Sequence, residues 1–136
     1  MGPSYLDSAT PFFSLDEVLE LDADQISSFG GTPGVRDECL LESALAEPQA
    51  TFGGDFLHPT ISEQAAAYFY QIAMNHPFID GNQRTAFAVT DTFLRLNGCA
   101  LNLTDDGVYN LVMRVARGTM TKEALITNFE SCTFEF

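Results

Sequence analysis

Basic residues are scarce in this chain. Six lysines and arginines stand against 19 acids in 136 residues, a net charge of −13, and Lys122 is the one lysine. A nucleic-acid binder draws affinity from counterion release at a basic surface, so this balance argues against that class. It suits a basic partner, a salt-rich host, or simply a solvated acidic surface that keeps the protein dispersed. Cysteine is sparse too. Cys39, Cys99 and Cys132 are odd in number and form no Cys-x-x-Cys pair, which fits reduced thiols in a cytoplasmic protein. No apolar run approaches the ~18 residues that a membrane span needs, so no membrane partner is expected. Met1 to Thr10 lacks a basic stretch followed by an apolar one, and no secretion signal is expected there. Internal repeats, low-complexity tracts and linkers are missing as well. The expectation is one domain over residues 1–136 with one continuous core.

What is present is patterned for helices. Ser14 and Glu17 have the spacing of a capping box, so a helix should begin near Leu15 and end at Gly30 and Gly31. Leu15, Val18, Leu19, Ile26 and Phe29 share one face of it. Asp22 falls on that same stripe, where a structural hydrogen bond is its expected role and a site-facing carboxylate the alternative. A second helix is predicted from Arg36 to Glu47, with Asp37, Leu40, Leu41, Ala44 and Leu45 on one face and Pro48 as terminator. Pro48 to Pro59 reads as irregular chain or a short hairpin. Thr60 and Glu63 form another capping box, and the helix from Ile61 to Asn75 is apolar nearly all round. A helix without a wet face belongs at the centre of a bundle.

The next helix, Gln83 to Asn97, should bury Ala86, Val89, Phe93 and Leu96, pair Asp91 with Arg95 on its other side, and stop at Gly98. Cys99 to Leu103 reads as a short extended link. Thr104 caps a helix to Arg117 with Val108, Leu111, Val112 and Val115 inward. Gly118 breaks it, and a last helix, about Lys122 to Cys132, offers Leu125, Ile126 and Phe129. The tail from Thr133 to Phe136 should be loose unless its aromatics dock. These elements predict an all-α, single-domain bundle of about six helices, with a short flap or hairpin before the central helix.

The chemistry is concentrated between the two most apolar helices, in His76-Pro77-Phe78-Ile79-Asp80-Gly81-Asn82-Gln83-Arg84-Thr85. His76 can exchange a proton near neutral pH. Asp80 can hold a hard cation, or serve as a turn carboxylate. Gly81 and Asn82 open a helix whose first N–H groups are free to meet an anion. Arg84 brings a forked cation suited to phosphate. Phe78 and Thr85 read as structural. Each residue alone fits simple loop chemistry. Together they describe phosphoryl or nucleotidyl transfer.

This stretch closely resembles the signature of the Fic/Doc superfamily. Phe29 to Asp37, Leu40 to Leu45, Pro48 to Gly54 and Phe93 to Gly98 resemble its Doc (death-on-curing) branch, and the likeness covers roughly residues 13 to 130. The resemblance implies a toxin of a toxin–antitoxin pair that passes the γ-phosphate of ATP to a threonine of elongation factor Tu. It implies His76 as general base and Asp80 as the Mg²⁺ ligand. Gly81, Asn82, Gln83 and Arg84 would hold the nucleotide phosphates, with Arg84 also neutralising charge in the transition state. The segment before the central helix would be a flap on which the target lies by strand addition.

Two positions, Asp22 and Gln83, depart from the Doc pattern, and Phe87, where Doc relatives also lack arginine, sets the chain apart from AMP-transferring Fic proteins. Where Asp22 stands, Doc relatives commonly carry histidine. Where Gln83 stands, the Doc branch usually has lysine, and Fic proteins that move AMP have glycine. Those AMP-transferring proteins also have a second arginine where Phe87 stands. AMP transfer to a protein hydroxyl and a catalytically degenerate binding module are therefore the alternatives. The self-inhibitory Ser/Thr-x-x-x-Glu-Gly/Asn helix of some Fic proteins has no complete copy; Ser131 to Phe136 comes nearest but ends in phenylalanine. Inhibition is thus expected from a small antitoxin in trans.

Overall fold

The computed structural model describes residues 12–136, so the reading of residues 1–10 as leaderless lies outside it, as does the start of the expected domain. Six α-helices follow one another among the described residues: α1 (Leu15–Phe29), α2 (Glu38–Ala46), α3 (Ile61–Asn75), α4 (Asn82–Leu96), α5 (Asp105–Ala116) and α6 (Lys122–Cys132). Two short antiparallel pairs complete them. β1 (Thr51–Phe52) pairs with β2 (Asp55–Phe56), and β3 (Cys99–Leu101) pairs with β4 (Thr133–Glu135). The expected all-α bundle is what the chain forms, with a hairpin before its central helix.

Side-chain caps start most of the helices. Ser14 and Glu17 make the full reciprocal box on α1. Asp37, Thr60, Thr104 and Thr121 each accept an N–H of the first turn that follows. Asp37 is therefore the cap of α2 and not a member of its buried face, and Arg36 lies outside the helix. At α3 the box is only half formed, because the Glu63 carboxylate accepts from the Thr60 hydroxyl at 3.2 Å.

The helix α3 lies at the centre, packed by α2, α4, α5 and α6. Its Ala65, Ala66 and Ala67 are fully buried, and these small side chains let neighbours approach closely, while Tyr68, Phe69 and Ile72 fill the space between. Tyr68 packs against Phe93 of α4 with ring centroids 5.1 Å apart, and Phe12 stacks on the other side of Phe93 at 5.9 Å. Pairs of this kind add about 0.5–1.5 kcal/mol each beyond their buried area. The Tyr68 phenol, pushed up to about 12 chiefly by burial, accepts the Phe13 N–H at 3.0 Å. It is a neutral part of the core.

Three expectations give way. Leu96 is 58% exposed, because it sits at the edge of the buried stripe in the last turn of α4; Leu94, on the opposite edge, is buried instead. Phe29 is 65% exposed at the end of α1, where it meets Arg84. The tail is not loose. Thr133, Phe134 and Glu135 pair in register with Leu101, Ala100 and Cys99. Main-chain bonds hold it, since Phe134 and Phe136 stay exposed.

Candidate active site

The loop between α3 and α4 starts with an unusual backbone. His76 closes α3 at φ 46°, ψ 56°, and is the only non-glycine residue with positive φ among those described. For an L-residue this left-handed position costs about 1–2 kcal/mol, so something must hold it. Arg36 does. Its Nε donates to the His76 carbonyl at 2.7 Å and its Nη2 to the Asn75 carbonyl at 2.8 Å. The last turn of α3 has no basic residue of its own, and Arg36 supplies the cation that a helix C-terminus favours.

The segment before α2 continues this support. The Pro77 carbonyl accepts the N–H groups of Arg36 and Asp37 at 2.7 and 3.1 Å. Val35 bridges Phe78, and Ile79 N–H donates to the Gly34 carbonyl at 3.0 Å. Phe78 itself is fully buried and anchors the loop in the core.

Asn82 fastens the other end. Its Oδ1 accepts from Phe78 N–H at 2.9 Å and its Nδ2 donates to the Phe78 carbonyl at 3.0 Å, with the side chain 8% exposed. The Asn82 amide thus braces the loop, and what this residue offers an anion is its backbone N–H. Gly81 precedes it in the left-handed region, φ 73°, as a cap without a side chain. A Cβ there would meet Ile26 Cδ1 at 3.2 Å. The first N–H groups of α4 are consequently left with no side-chain cap, the arrangement that receives anions.

Asp80 is exposed just before this turn. Its Oδ1 accepts from Gly81 N–H at 2.9 Å and its Oδ2 from Thr32 N–H at 3.3 Å. Gly31 makes room for it, since a Cβ at that position would fall 2.8 Å from Oδ2. No group of three metal-ligating side chains occurs among the described residues. One exposed carboxylate beside a bare helix N-terminus fits Mg²⁺, which takes one or two carboxylates and fills its sphere with phosphate oxygens and water. It would not fit an ion that needs a cage made wholly of protein.

Arg84, in the first turn of α4, folds back over the end of α1. Its Nη2 donates to the Gly30 carbonyl at 2.9 Å, its guanidinium carbon lies 5.4 Å from the Phe29 ring centroid, and its buried Nε has no partner among the described residues. Asp80, Gly81, Gln83 and Arg84 all line one groove of about 840 Å³ between α1, α4 and α5, with Phe29, Phe87 and Tyr109 on its apolar side. His76 and Asn82 are not among its lining residues. His76 is half-buried at the start of the loop, and its imidazole makes no hydrogen bond within the described residues.

Arg36, Phe29 and Thr32 are the site residues that sequence reasoning missed. Their contacts cross 39 or more positions of chain, and nothing local marks them. The one available hint was their place inside the conspicuous Phe29 to Asp37 stretch.

The fold and site define a helical domain built around a helix start without a side-chain cap, with a carboxylate and a guanidinium at its rim. The Fic/DOC family model matches residues 12–94, and the chain belongs to that family. It is 47% identical over 74 residues to a protein from Mycolicibacterium smegmatis named Toxin Doc, covering 54% of this chain and 57% of that one. It is 34% identical over 85 residues to a protein of Escherichia phage P1 named Protein kinase doc, covering 62% and 67%. The matched stretches thus span between about half and two thirds of those relatives. No described helix is long and apolar enough to cross a membrane.

Proposed function

We propose that the chain is a Doc-like toxin that transfers the γ-phosphate of ATP to a hydroxyl of a protein target. The names of the two relatives, one a toxin and one a protein kinase, support this reading. The observation that carries it is the bare start of α4 with Asp80, Gln83 and Arg84 on one groove, and Phe87 on the same groove in place of a second cation. AMP transfer would need a grip on the β- and γ-phosphates, and Phe87 offers none.

In this reading His76 takes the proton of the target hydroxyl. The freed oxygen attacks the γ-phosphorus, the bond to the β–γ bridging oxygen breaks, and ADP leaves. The α4 N–H groups and Gln83 orient the phosphates. Arg84 swings from Gly30 to meet their growing charge. Asp80 would hold Mg²⁺, which would supply positive charge against that of the phosphates. Elongation factor Tu is the proposed target, which would put the action in the cytoplasm. Control would fall to an antitoxin in trans, and Thr133 to Glu135, within the stretch nearest an internal inhibitory segment, are paired with β3.

ATP labelled at the α or the γ position tests this with elongation factor Tu as acceptor. Label should pass from the γ position alone, and only with Mg²⁺ present. Transfer from the α position would replace the reading with AMP transfer. No transfer from either would favour a binding module.

A further inference from the structure

Asp22 is a buried acid placed beside this site. It projects from the middle of α1, is 3% exposed, and its Oδ1 accepts the Thr85 hydroxyl at 2.9 Å. A Cβ on Gly81 would stand 4.0 Å from that oxygen and 3.8 Å from Arg84 Nη2, so the carboxylate lies against the turn that opens α4. Asp80 belongs to the same turn, where its Oδ1 accepts from Gly81 N–H at 2.9 Å. Neither carboxylate forms an ion pair among the described residues, for Arg84 is turned onto Gly30 and Phe29.

A hydrogen bond to Thr85 does not require a carboxylate. Asparagine would accept it equally well, and burying an ionised group on one neutral partner is unfavourable. Burial, and after it the repulsion of Asp80, hold the Asp22 carboxyl above the ordinary aspartate range despite the Thr85 bond. The charge at this place thus opposes stability and has its use in what approaches the turn. A buried charge is weakly screened, and its field acts twice as strongly on a dication as on a single charge.

We infer that Asp22 is a positioning residue for the divalent cation at Asp80. Its negative charge raises the affinity of the site for a dication without touching the ion, and it opposes a nucleotide that arrives without one. This rests on the reading of Asp80 as the ligand of the cation. The site then admits nucleotide and metal together, and bare phosphate poorly.

Manganese titration of the full chain, with free Mn²⁺ read by electron paramagnetic resonance, tests this without any turnover. The binding lost in Asp80→Asn defines the site against the acidic surface. Asp22→Asn keeps the volume and an acceptor for Thr85, so the fold should survive with an equal or higher melting temperature. It should weaken Mn²⁺ binding at the site by about fivefold or more, and should tighten ATP binding in the presence of a chelator. Asp22→Ser makes the same comparison with a smaller side chain should the asparagine variant not fold. Thr85→Val removes the hydroxyl but leaves the charge. It should keep the Mn²⁺ affinity within about twofold while lowering stability. Unchanged Mn²⁺ affinity in Asp22→Asn, with Asp80→Asn impaired, would overturn the inference and leave the role of Asp80 standing. Equal binding by wild type and Asp80→Asn would overturn both. A loss in Thr85→Val as large as in Asp22→Asn would also overturn the inference, by tracing the effect to helix placement.

Discussion

Replacing His76 by glycine should make the protein more stable and inactive at once. The residue sits at φ 46°, ψ 56°, where a side chain crowds its own backbone. Left-handed geometry costs an L-residue about 1–2 kcal/mol, and glycine avoids that while losing about 0.5–1 kcal/mol more chain entropy on folding. The net gain of His76→Gly over His76→Ala is therefore about 0.5–1 kcal/mol. Both variants lack the imidazole, so the comparison isolates the backbone from the side chain. For a chain of this size the gain corresponds to about 2–4 °C in melting temperature. Calorimetry or urea denaturation of the two purified variants measures it, with phosphotransfer and growth arrest followed in parallel. Both variants should lose growth arrest while keeping a helical circular dichroism spectrum. A glycine variant no more stable than the alanine variant would refute the claim that the loop holds His76 under strain. Undiminished toxicity in either would remove His76 from the mechanism.

Three further outcomes are expected. Lys122 and His58 both bond Glu47, tying α6 to the segments on either side of the hairpin. Burial alone would raise the Glu47 carboxyl, but these bonds and charges hold it below the ordinary glutamate value of 4.5. Its stabilising share is present above that value and is lost as pH falls below it, so Lys122→Met should lower stability at pH 7 and flatten the acid limb of a stability profile. Gln83→Lys should speed phosphotransfer by about tenfold or more in single-turnover assays, since one charge contact of about 1.4 kcal/mol suffices. Deleting residues 133–136 removes β4 from β3. That should cost about 1–3 kcal/mol in urea denaturation and open the buried Cys99 to thiol reagents, without raising activity.

The helices were legible because their apolar residues recur at helical spacing and their caps are written in adjacent residues. Ser14, Thr60 and Thr104 announced three starts, and α3 betrayed its central position by having no wet face. The pairing of β3 with β4 was not legible, since strands three residues long carry no period. The candidate site was legible as composition and not as geometry. His76, Asp80 and Arg84 stood out by chemical type. Nothing nearby indicated that Arg36 would hold His76 left-handed, that Asn82 would spend its amide on Phe78, or that Gly31 would clear room for Asp80. Those contacts join segments brought together only by the packing of α1 and α2 against α3 and α4.

Part of the grip on the loop is main chain to main chain: Gly34 and Pro77 carbonyls, and the N–H groups of Arg36, Asp37 and Ile79. Such bonds are indifferent to side-chain identity, so drift in the segment before α2 leaves the loop in place as long as Gly31, Gly34 and Arg36 stay and no proline enters at 36, 37 or 79. The groove is the reverse case. Gln83, Phe87 and Tyr109 face it with side chains that hold up nothing in the loop. Those residues can therefore be exchanged, and on the proposed reading the nucleotide pose or target with them, over a backbone that does not need to be reinvented each time.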